Sequence, residues 1–178
     1  MPLRSAILSL LVIVFTFASP ALSSDIAGRA RVIDGDTFSI RKTRIRIAAI
    51  DACERDQTGL KDGQIWACGI EARGSLARMI DGRHVRCVQV DTDQYRRVVG
   101  QCFIGGEDIG LEMVKLGQAV VLLRYLPPSH PLNLAGYHLA EDNARRSRRG
   151  VWAASVEPPA VYRRKHHAIH PTAAGDNE

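Results

Sequence analysis

The four cysteines of this 178-residue chain, together with the hairpin pattern around two of them, restrict its fold more than any other feature. Residues 85–104 alternate between apolar and polar side chains like a β-hairpin whose turn lies at 92–96. Folding the chain about that turn places Cys87 opposite Cys102, because both lie at a similar distance from its centre. Four cysteines allow three pairings, and this register favours the pairing that contains Cys87–Cys102.

An even cysteine count fits two disulfides in an oxidising compartment, and the N-terminus indicates export. Residues 1–23 have the pattern of a cleaved signal peptide, in which Arg4 precedes an apolar run over 6–17 and small residues follow. The run is shorter than the roughly 20 residues that span a membrane, so we expect a periplasmic or secreted protein without membrane insertion. A signal anchor is the alternative for this segment. The second disulfide is then Cys53–Cys68; a zinc site is its alternative, although the chain contains no Cys-x-x-Cys.

The rest of the chain predicts strands first and helices later. Three segments rich in Val, Ile, Thr and Phe predict strands: 28–33, 37–42 and 44–50. Three segments with apolar residues at helical spacing predict helices: 65–80, 107–116 and 132–149. The helix residues expected to face the core are Ile70, Leu76, Ala77, Ile80, Ile109, Met113, Leu116, Leu132, Leu139 and Tyr137.

With the hairpin, these segments predict an α+β, mainly β fold: a closed or nearly closed five-stranded barrel of the OB type with about three helices. The barrel domain is expected over 24–156. From 157 onward, prolines, a cluster of basic residues and histidines over 163–167 and a small polar terminus predict a disordered tail. The formal net charge of +5 permits association with polyanions without demonstrating it.

Acidic residues and an arginine gather around the second and third predicted strands. If these strands form a tight hairpin, Asp36 and Asp51 lie opposite each other at its open end. Two adjacent carboxylates repel unless one is protonated or a cation lies between them, and a hard divalent ion, calcium in an exported protein, resolves this. Strict alternation places Arg46 and Asp51 on opposite strand faces, so a bulge or bend between Ile47 and Ile50 is required if both serve one site.

Three groups of residues carry a family resemblance: the turn 34–37, the trio Arg46, Asp51 and Glu54, and the patch 93–97. In combination and spacing they resemble the active site of the thermonuclease (staphylococcal nuclease-like) family over residues 28–152. The resemblance implies the OB-type barrel and hydrolysis of phosphodiester bonds in DNA and RNA with little sequence specificity, leaving 3′-phosphate ends. Asp34 is more simply the residue that holds the turn.

The resemblance also implies a role for each site residue. Calcium would be held by Asp36, Asp51 and the backbone carbonyl of Ala52, with Glu54 as the general base. Arg46 and Arg97 would bind the phosphodiester oxygens, because a guanidinium matches phosphate with two parallel hydrogen bonds.

Single-stranded DNA or RNA is the expected substrate, bound in part by Tyr95 and Tyr125. The chain departs from the family pattern around that cleft. Cys53 stands where staphylococcal nuclease has proline, and Leu123 replaces a second tyrosine. Beside Tyr95, two further positions differ from the family pattern: Gln94 replaces a lysine and Arg96 a glycine.

Two functions from other classes compete with a nuclease. A nucleic-acid-binding module on the same barrel, without catalysis, would lack an acid or an arginine of the site, and none is missing. The second is an accessory protein in acidic exopolysaccharide (succinoglycan-type) biosynthesis, because some small exported relatives of the family are associated with that process.

Overall fold

Alternating apolar residues build a barrel in the part of the chain that the structure, a computed structural model, describes: residues 25–169, with side chains to residue 166. The predicted signal peptide, residues 1–23, lies outside this range. The strands are β1 (Asp25–Val32), β2 (Thr37–Ile40), β3 (Thr43–Ile47), β4 (Ile50–Ala52), β5 (Gly59–Lys61), β6 (Gln64–Trp66), β7 (His84–Thr92), β8 (Val98–Ile104), β9 (Glu107–Asp108) and β10 (Ala119–Val121). The helices are α1 (Cys68–Ile80), α2 (Ile109–Lys115), α3 (Leu134–Arg146) and α4 (Pro159–Ile169), with a 3₁₀ turn over Gly150–Ala153.

Five strands close the barrel. They pair antiparallel in the order β3-β2-β1-β7-β8, and a parallel pairing of β3 with β8 joins the two edges. Closure leaves no edge among these five strands exposed to pairing with another chain. The interior is filled by large apolar side chains that are fully buried, among them Phe38, Ile45, Ile47, Leu76, Ile80, Val85, Ile109 and Met113. The predicted OB-type barrel is confirmed.

Both predicted disulfides are present. Cys87 and Cys102 are directly opposed in the β7–β8 register, with 4.0 Å between their Cα atoms. Cys53, which follows β4, is bonded to Cys68, the first residue of α1. The hairpin register was therefore sufficient to choose the pairing.

The predicted third strand is broken, as the site required. β3 ends at Ile47, and Ala49 adopts a left-handed φ of 65° before β4 begins at Ile50. Backbone hydrogen bonds fix this bend, because the Ala48 amide donates to the Gly100 carbonyl (2.9 Å) and the Leu122 amide donates to the Ala49 carbonyl (2.8 Å). β4 then pairs with β10 instead of continuing the barrel wall.

Each of the three predicted helical faces was wrong at one residue. The buried face of α1 repeats at intervals of four, through Cys68, Ala72, Leu76 and Ile80, whereas Ile70 lies about 240° around the helix from Leu76 and is exposed. In α3, Leu139 lies about 200° from the buried Tyr137 and is also exposed. Leu116 of the second predicted helix is exposed as well, because α2 ends at Lys115, one residue before it.

The first predicted helix also begins too early. Residues 59–66 form the small β5–β6 hairpin, in which Leu60 pairs with Ile65. Helix α1 starts only at Cys68, where the disulfide attaches it to the end of β4. Each strand of this hairpin has only three residues, which is too few to show an alternating pattern in the sequence.

The predicted disordered tail is wrong for its first half. Residues 159–169 form α4, and Pro159 suits the first position of a helix because the amide it lacks would have no partner there. The approach to α4 is fixed to the body, since Ser155 exchanges two backbone hydrogen bonds with Leu60 (2.7 and 2.9 Å). Residues 170–178 lie outside the described range. No helix within that range is long and apolar enough to cross a membrane.

Candidate active site

Arg46 lies at the centre of the acidic cluster. Its Nη1 lies 2.6 Å from Asp36 Oδ2 and its Nη2 lies 2.9 Å from Asp51 Oδ1. Both carboxylates are nearly inaccessible to solvent, and the Thr37 hydroxyl donates a further hydrogen bond to Asp36 Oδ1 (2.8 Å). The structure thus brings the two predicted aspartates together, and a guanidinium fork lies between them.

Strand register and the bend explain this arrangement. Thr37 is the register partner of Arg46 across β2 and β3, so Asp36, one residue earlier, lies at the same end of the hairpin. The Ile47 amide donates to the Asp36 carbonyl (2.9 Å), which fixes that end. The bend at Ala49 changes which side of the strand the following side chains point to. Asp51 therefore points to the same side as Arg46, which is the arrangement that the sequence required for a shared site.

Glu54 is held from behind by the buried side chain of Gln57. The backbone amide of Glu54 donates to the side-chain Oε1 of Gln57 (3.1 Å), and the backbone amide of Gln57 donates to the backbone carbonyl of Glu54 (2.9 Å). Gly69 of α1 packs against the same carbonyl so closely that a Cβ there would lie 1.7 Å from the oxygen. With the Cys53–Cys68 disulfide beside it, the backbone of Glu54 is fixed on three sides.

A third arginine, which the sequence analysis missed, completes the cluster. Arg163 of α4 places Nη1 2.5 Å from Glu54 Oε1 and Nη2 2.8 Å from Asp51 Oδ1. It is 109 residues from Glu54 in the sequence and belongs to a segment predicted to be disordered. Arg163 is the first residue of the predicted basic cluster 163–167, and that cluster did not indicate a site because runs of basic residues are usually solvated.

Burial dominates the electrostatics of the acids. It raises the pKa of Asp51 above its ordinary value, although Arg163 and Arg46 both lower it. Burial likewise raises the pKa of Glu54 against the hydrogen bond and charge of Arg163. For Arg163 the balance is the reverse: burial lowers the pKa, but Glu54 and Asp51 outweigh it and raise the pKa. The cluster therefore favours the charged form of Arg163 and disfavours the charged forms of Asp51 and Glu54.

Asp34 and Ala52 flank the cluster. Asp34 Oδ1 accepts a hydrogen bond from the Gly35 amide (2.9 Å), which is the turn-holding geometry expected of it. Burial raises the pKa of Asp34, and the neighbouring charge of Asp36 adds to this effect. Ala52 is buried in β4, opposite Ala119 of β10, directly beside Asp51. Asp34 therefore lies two residues before Asp36 in the turn, and Ala52 follows Asp51 in β4.

Arg97 lies on the same outer face of the barrel as Arg46. Val99 is the register partner of Arg46, and Arg97 precedes it by two residues, so both arginines point outward from neighbouring strands. Asp93 fixes Arg97, because its carboxylate accepts from the backbone amide (2.9 Å) and from Nε (2.7 Å). This contact uses Nε and orients the guanidinium on the face that carries Arg46.

Both predicted substrate-binding tyrosines are exposed. The guanidinium of Arg97 lies over the ring of Tyr95 at 5.4 Å, and Arg124 lies over the ring of Tyr125 at 5.7 Å. Tyr95 thus lies beside Arg97, whereas Tyr125 follows β10, the partner of the strand that carries Asp51. Leu123, at the position of the missing tyrosine, packs against the core.

The oxygen donors of the cluster suit a hard divalent cation. Asp36, Asp51 and Glu54 offer carboxylates of the kind that calcium prefers. Within residues 25–166, however, no three acidic, histidine or cysteine side chains are grouped in a ready coordination geometry. The reason is visible in the contacts: the positive charge that these acids require is supplied by Arg46 and Arg163.

Comparison with known proteins adds a family match. The family model described as staphylococcal nuclease homologue matches residues 44–154, which is more than half of the chain. The match includes Arg46, Asp51, Glu54 and Arg97 and ends before α4.

Individual relatives are similar over most of the chain. The succinoglycan biosynthesis protein ExoI of Rhizobium meliloti is 33% identical over 135 residues, which cover 74% of this chain and 67% of the relative. An uncharacterized endonuclease of Haemophilus influenzae is 29% identical over 87% of this chain and 83% of its own length. Protein ParB of Escherichia coli is 31% identical over 83% of this chain and 82% of its own length.

Proposed function

Because this chain belongs to the staphylococcal nuclease homologue family, we propose that it is an exported, calcium-dependent nuclease that hydrolyses phosphodiester bonds of DNA and RNA with little sequence specificity. A relative named as an endonuclease covers most of the chain, which supports the reaction class. Two disulfides are compatible with an oxidising compartment and so support export.

The observation that carries this proposal is the position of Arg46 between two buried aspartates, with Glu54 beside them and Arg97 on the same barrel face. A fold needs no such group of charges for its stability, because buried ion pairs are often no better than apolar residues of similar size. Phosphoryl transfer does need it, since its catalysis consists largely of positioning and charge stabilisation.

In the proposed reaction, the Glu54 carboxylate accepts a proton from a water molecule as the water oxygen attacks phosphorus. The bond from phosphorus to the 5′ oxygen breaks, the leaving oxygen takes a proton from solvent, and a 3′-phosphate end remains. Arg46 and Arg97 donate hydrogen bonds to the phosphate oxygens, where negative charge accumulates in the transition state. When bound by Asp36, Asp51 and the Ala52 carbonyl, calcium supplies additional positive charge at the phosphate.

The outer barrel wall favours an extended polyanion as the substrate. Arg31, Ser39 and Arg44 are register partners across β1, β2 and β3, and both arginines are exposed. By strand alternation they share the outward face that carries Arg46, so a basic surface continues from the acidic cluster along the sheet. Phosphate contacts of this kind bind nucleic acid without reading its sequence. The exposed rings of Tyr95 and Tyr125 are available for stacking on unpaired bases.

The test is single-turnover cleavage of labelled single-stranded DNA and RNA in calcium, with binding measured separately. Glu54→Gln should lower the cleavage rate about 100-fold or more and leave binding largely intact, because the amide cannot accept the proton. Glu107→Gln, at an exposed glutamate on β9, is the matched control and should cleave like the wild type. A Glu54→Gln variant with the wild-type rate would remove this residue from the mechanism.

The arginine and metal roles have separate tests. Arg46→Lys should also slow cleavage strongly although it keeps the charge, since lysine cannot present two parallel donors. Calcium should raise the melting temperature of the wild type, because it binds only the folded site. The double variant Asp36→Asn with Asp51→Asn should lose that shift. If the double variant retains the full shift, calcium is bound elsewhere.

A second candidate function rests on the similarity to the succinoglycan biosynthesis protein: an accessory role in acidic exopolysaccharide biosynthesis. An acidic polysaccharide is also a polyanion, so the basic outer wall fits it. This function, or binding of nucleic acid without catalysis, would be favoured if the wild type bound single-stranded DNA but failed to cleave it in every divalent metal. Comparing the binding of succinoglycan and of single-stranded DNA would then separate the two.

A further inference from the structure

Arg163 occupies the side of the acidic cluster between Asp51 and Glu54, whereas Arg46 lies between Asp51 and Asp36. The two terminal nitrogens of Arg163 contact Asp51 and Glu54 at once, at 2.8 and 2.5 Å, so both carboxylates direct their oxygens at one guanidinium. In the proposed function, Asp51 binds calcium and Glu54 accepts a proton from water. Neither residue is available for that role while Arg163 is bound to it.

Helix α4 is attached in a way that allows it to leave without unfolding the barrel. The anchors of this region lie before the helix: the Gln57 side chain donates to the Glu157 carbonyl (2.7 Å), and Ser155 pairs with Leu60. Pro158 then separates these anchors from α4, which begins at Pro159.

The helix begins with the buried Pro159 and the half-buried Ala160 and Val161, and its later contacts are mostly polar. Besides Arg163, Lys165 forms an ion pair with Glu157, while Arg164, Lys165 and His166 are exposed. Arg163 remains partly accessible, with 26% of its side chain exposed. The attraction between Arg163 and the buried Asp51 is partly offset by the cost of removing both charges from water, and an isolated helix of eleven residues is marginal in water. Docking of α4 therefore depends largely on the ion pairs of Arg163, which a competing cation can replace.

We propose that α4 is an intramolecular latch, in which Arg163 substitutes for the divalent cation of the acidic cluster, so that α4 docking and calcium binding exclude each other. This inference rests on the proposed function, because it takes Asp51 and Glu54 as the groups that calcium and the attacking water require. It adds that the resting protein is closed and that calcium opens it. The family match ends at residue 154, so the latch is a feature of the segment that follows the matched domain.

The latch has a quantitative consequence for calcium affinity. A ligand that binds only the open form has an apparent dissociation constant equal to the intrinsic constant divided by the open fraction. If α4 is docked in about 90% of the molecules, removing the latch should tighten calcium binding about tenfold. The same competition requires calcium to release α4.

The experiment measures calcium binding by titration calorimetry and amide hydrogen exchange of residues 160–166, on the full chain without nucleic acid. Arg163→Gln should bind calcium about tenfold more tightly than the wild type. Arg164→Gln is the matched control, since it removes the same charge from the adjacent exposed position and should leave the affinity unchanged. In the wild type, calcium should accelerate exchange in α4, and in Arg163→Gln exchange there should be fast already.

Arg163→Lys is a second variant, which keeps the charge but cannot contact both carboxylates with a guanidinium fork. Its calcium affinity should lie between those of the wild type and Arg163→Gln. Equal calcium affinity in wild type and Arg163→Gln, with α4 exchange insensitive to calcium, would overturn the latch. Absence of calcium binding in every variant would overturn it as well. Slower cleavage by Arg163→Gln at unchanged calcium affinity would make Arg163 a phosphate-binding arginine instead.

Cleavage of DNA separates this inference from the function on which it rests. If the wild type cleaves in calcium but Arg163→Gln shows no gain in affinity, the latch is wrong and the nuclease function stands. If Arg163→Gln gains affinity and releases α4 but no variant cleaves, the latch stands and the nuclease function is wrong.

Discussion

Gly69 offers the sharpest perturbation of Glu54 that does not alter the site itself. A Cβ at this position would lie 1.7 Å from the Glu54 carbonyl oxygen and 2.9 Å from the Arg55 carbonyl carbon. Real Cβ contacts essentially never fall below 3.0 Å. In Gly69→Ala the carbonyl must therefore retreat by about 1.3 Å, or α1 must tilt away from it. Both movements displace the residue that we propose as the general base.

The expected effect on activity is larger than the effect on stability. Misplacing a catalytic group by about 1 Å costs about 100-fold in rate, so single-turnover cleavage by Gly69→Ala should fall by about that factor. Overpacking costs about 1–3 kcal/mol, and replacing a helical glycine returns up to about 1 kcal/mol. Urea unfolding should accordingly show a net loss of about 1–2 kcal/mol, too small to unfold the protein during the cleavage assay.

Gly74→Ala, in the middle of the same helix, is the matched control. A Cβ there would meet only the flexible end of Arg78 at 3.4 Å, so this variant should be as stable as the wild type or slightly more stable, and fully active. If Gly69→Ala unfolds at the same urea concentration as Gly74→Ala and cleaves at the same rate, the close packing of Gly69 against Glu54 does not position the general base. A loss of stability with unchanged cleavage would show instead that Glu54 does not depend on this packing.

Three further predictions test the barrel and its surface. Replacing Arg31 and Arg44 together by glutamine should weaken binding of single-stranded DNA and reduce its salt slope by about 1.4, because two phosphate contacts are lost. Tyr137→Phe should lower stability by about 1 kcal/mol and lessen the loss of stability above pH 10, since burial raises the pKa of Tyr137 and only the unfolded state ionises there. Replacing Cys87 and Cys102 by alanine should cost about 3 kcal/mol in urea unfolding, whereas the native disulfide, fully buried, should resist reductant until the protein unfolds.

The barrel and its central acids were predictable because they depend on local patterns. Alternation located the strands, and the hairpin register paired the cysteines correctly. The direction of the side chains along the third strand was decisive for the site. Arg46 and Asp51 can belong to one site only if the strand bends between them, and the bend lies at Ala49. The packing of Glu54 was not predictable, since Gln57 and Gly69 are an ordinary loop residue and a helical glycine until the fold brings them to one carbonyl.

Arg163 could not be predicted for a different reason. Its partners, Asp51 and Glu54, are more than a hundred residues away, and its own segment resembles a solvated basic tail. Composition describes what a segment can do alone, whereas α4 is stabilised by contacts with the barrel. The one local indication was Pro159, a residue that suits the first position of a helix, but proline is equally common in disordered chains.

The pH dependence of stability in the presence of a chelator tests the electrostatics of the cluster. Burial raises the pKa of Asp51 and of Glu54 above their ordinary values of 3.8 and 4.5. In the window above those values the folded state therefore binds more protons than the unfolded state. Stability changes with pH in proportion to the protons bound by the unfolded state minus those bound by the folded state. The contribution of these two groups must then fall as pH rises through the window.

Asp93 changes the pH dependence of stability in the opposite direction, so its contribution must be separated from that of Asp51 and Glu54. Burial alone would raise its pKa, but hydrogen bonds from Arg97 and Tyr95 lower it below 3.8, so its contribution is complete above that pH and is lost only as pH falls. The variant Asp51→Asn with Glu54→Gln keeps Asp93, and its contribution cancels when the unfolding free energy of the variant is subtracted from that of the wild type. The difference should decrease steadily as pH rises from about 4.5. A difference that is flat or increases over this range would show that the arginines, rather than burial, control the two carboxylates. The cluster would then have no need of a further cation.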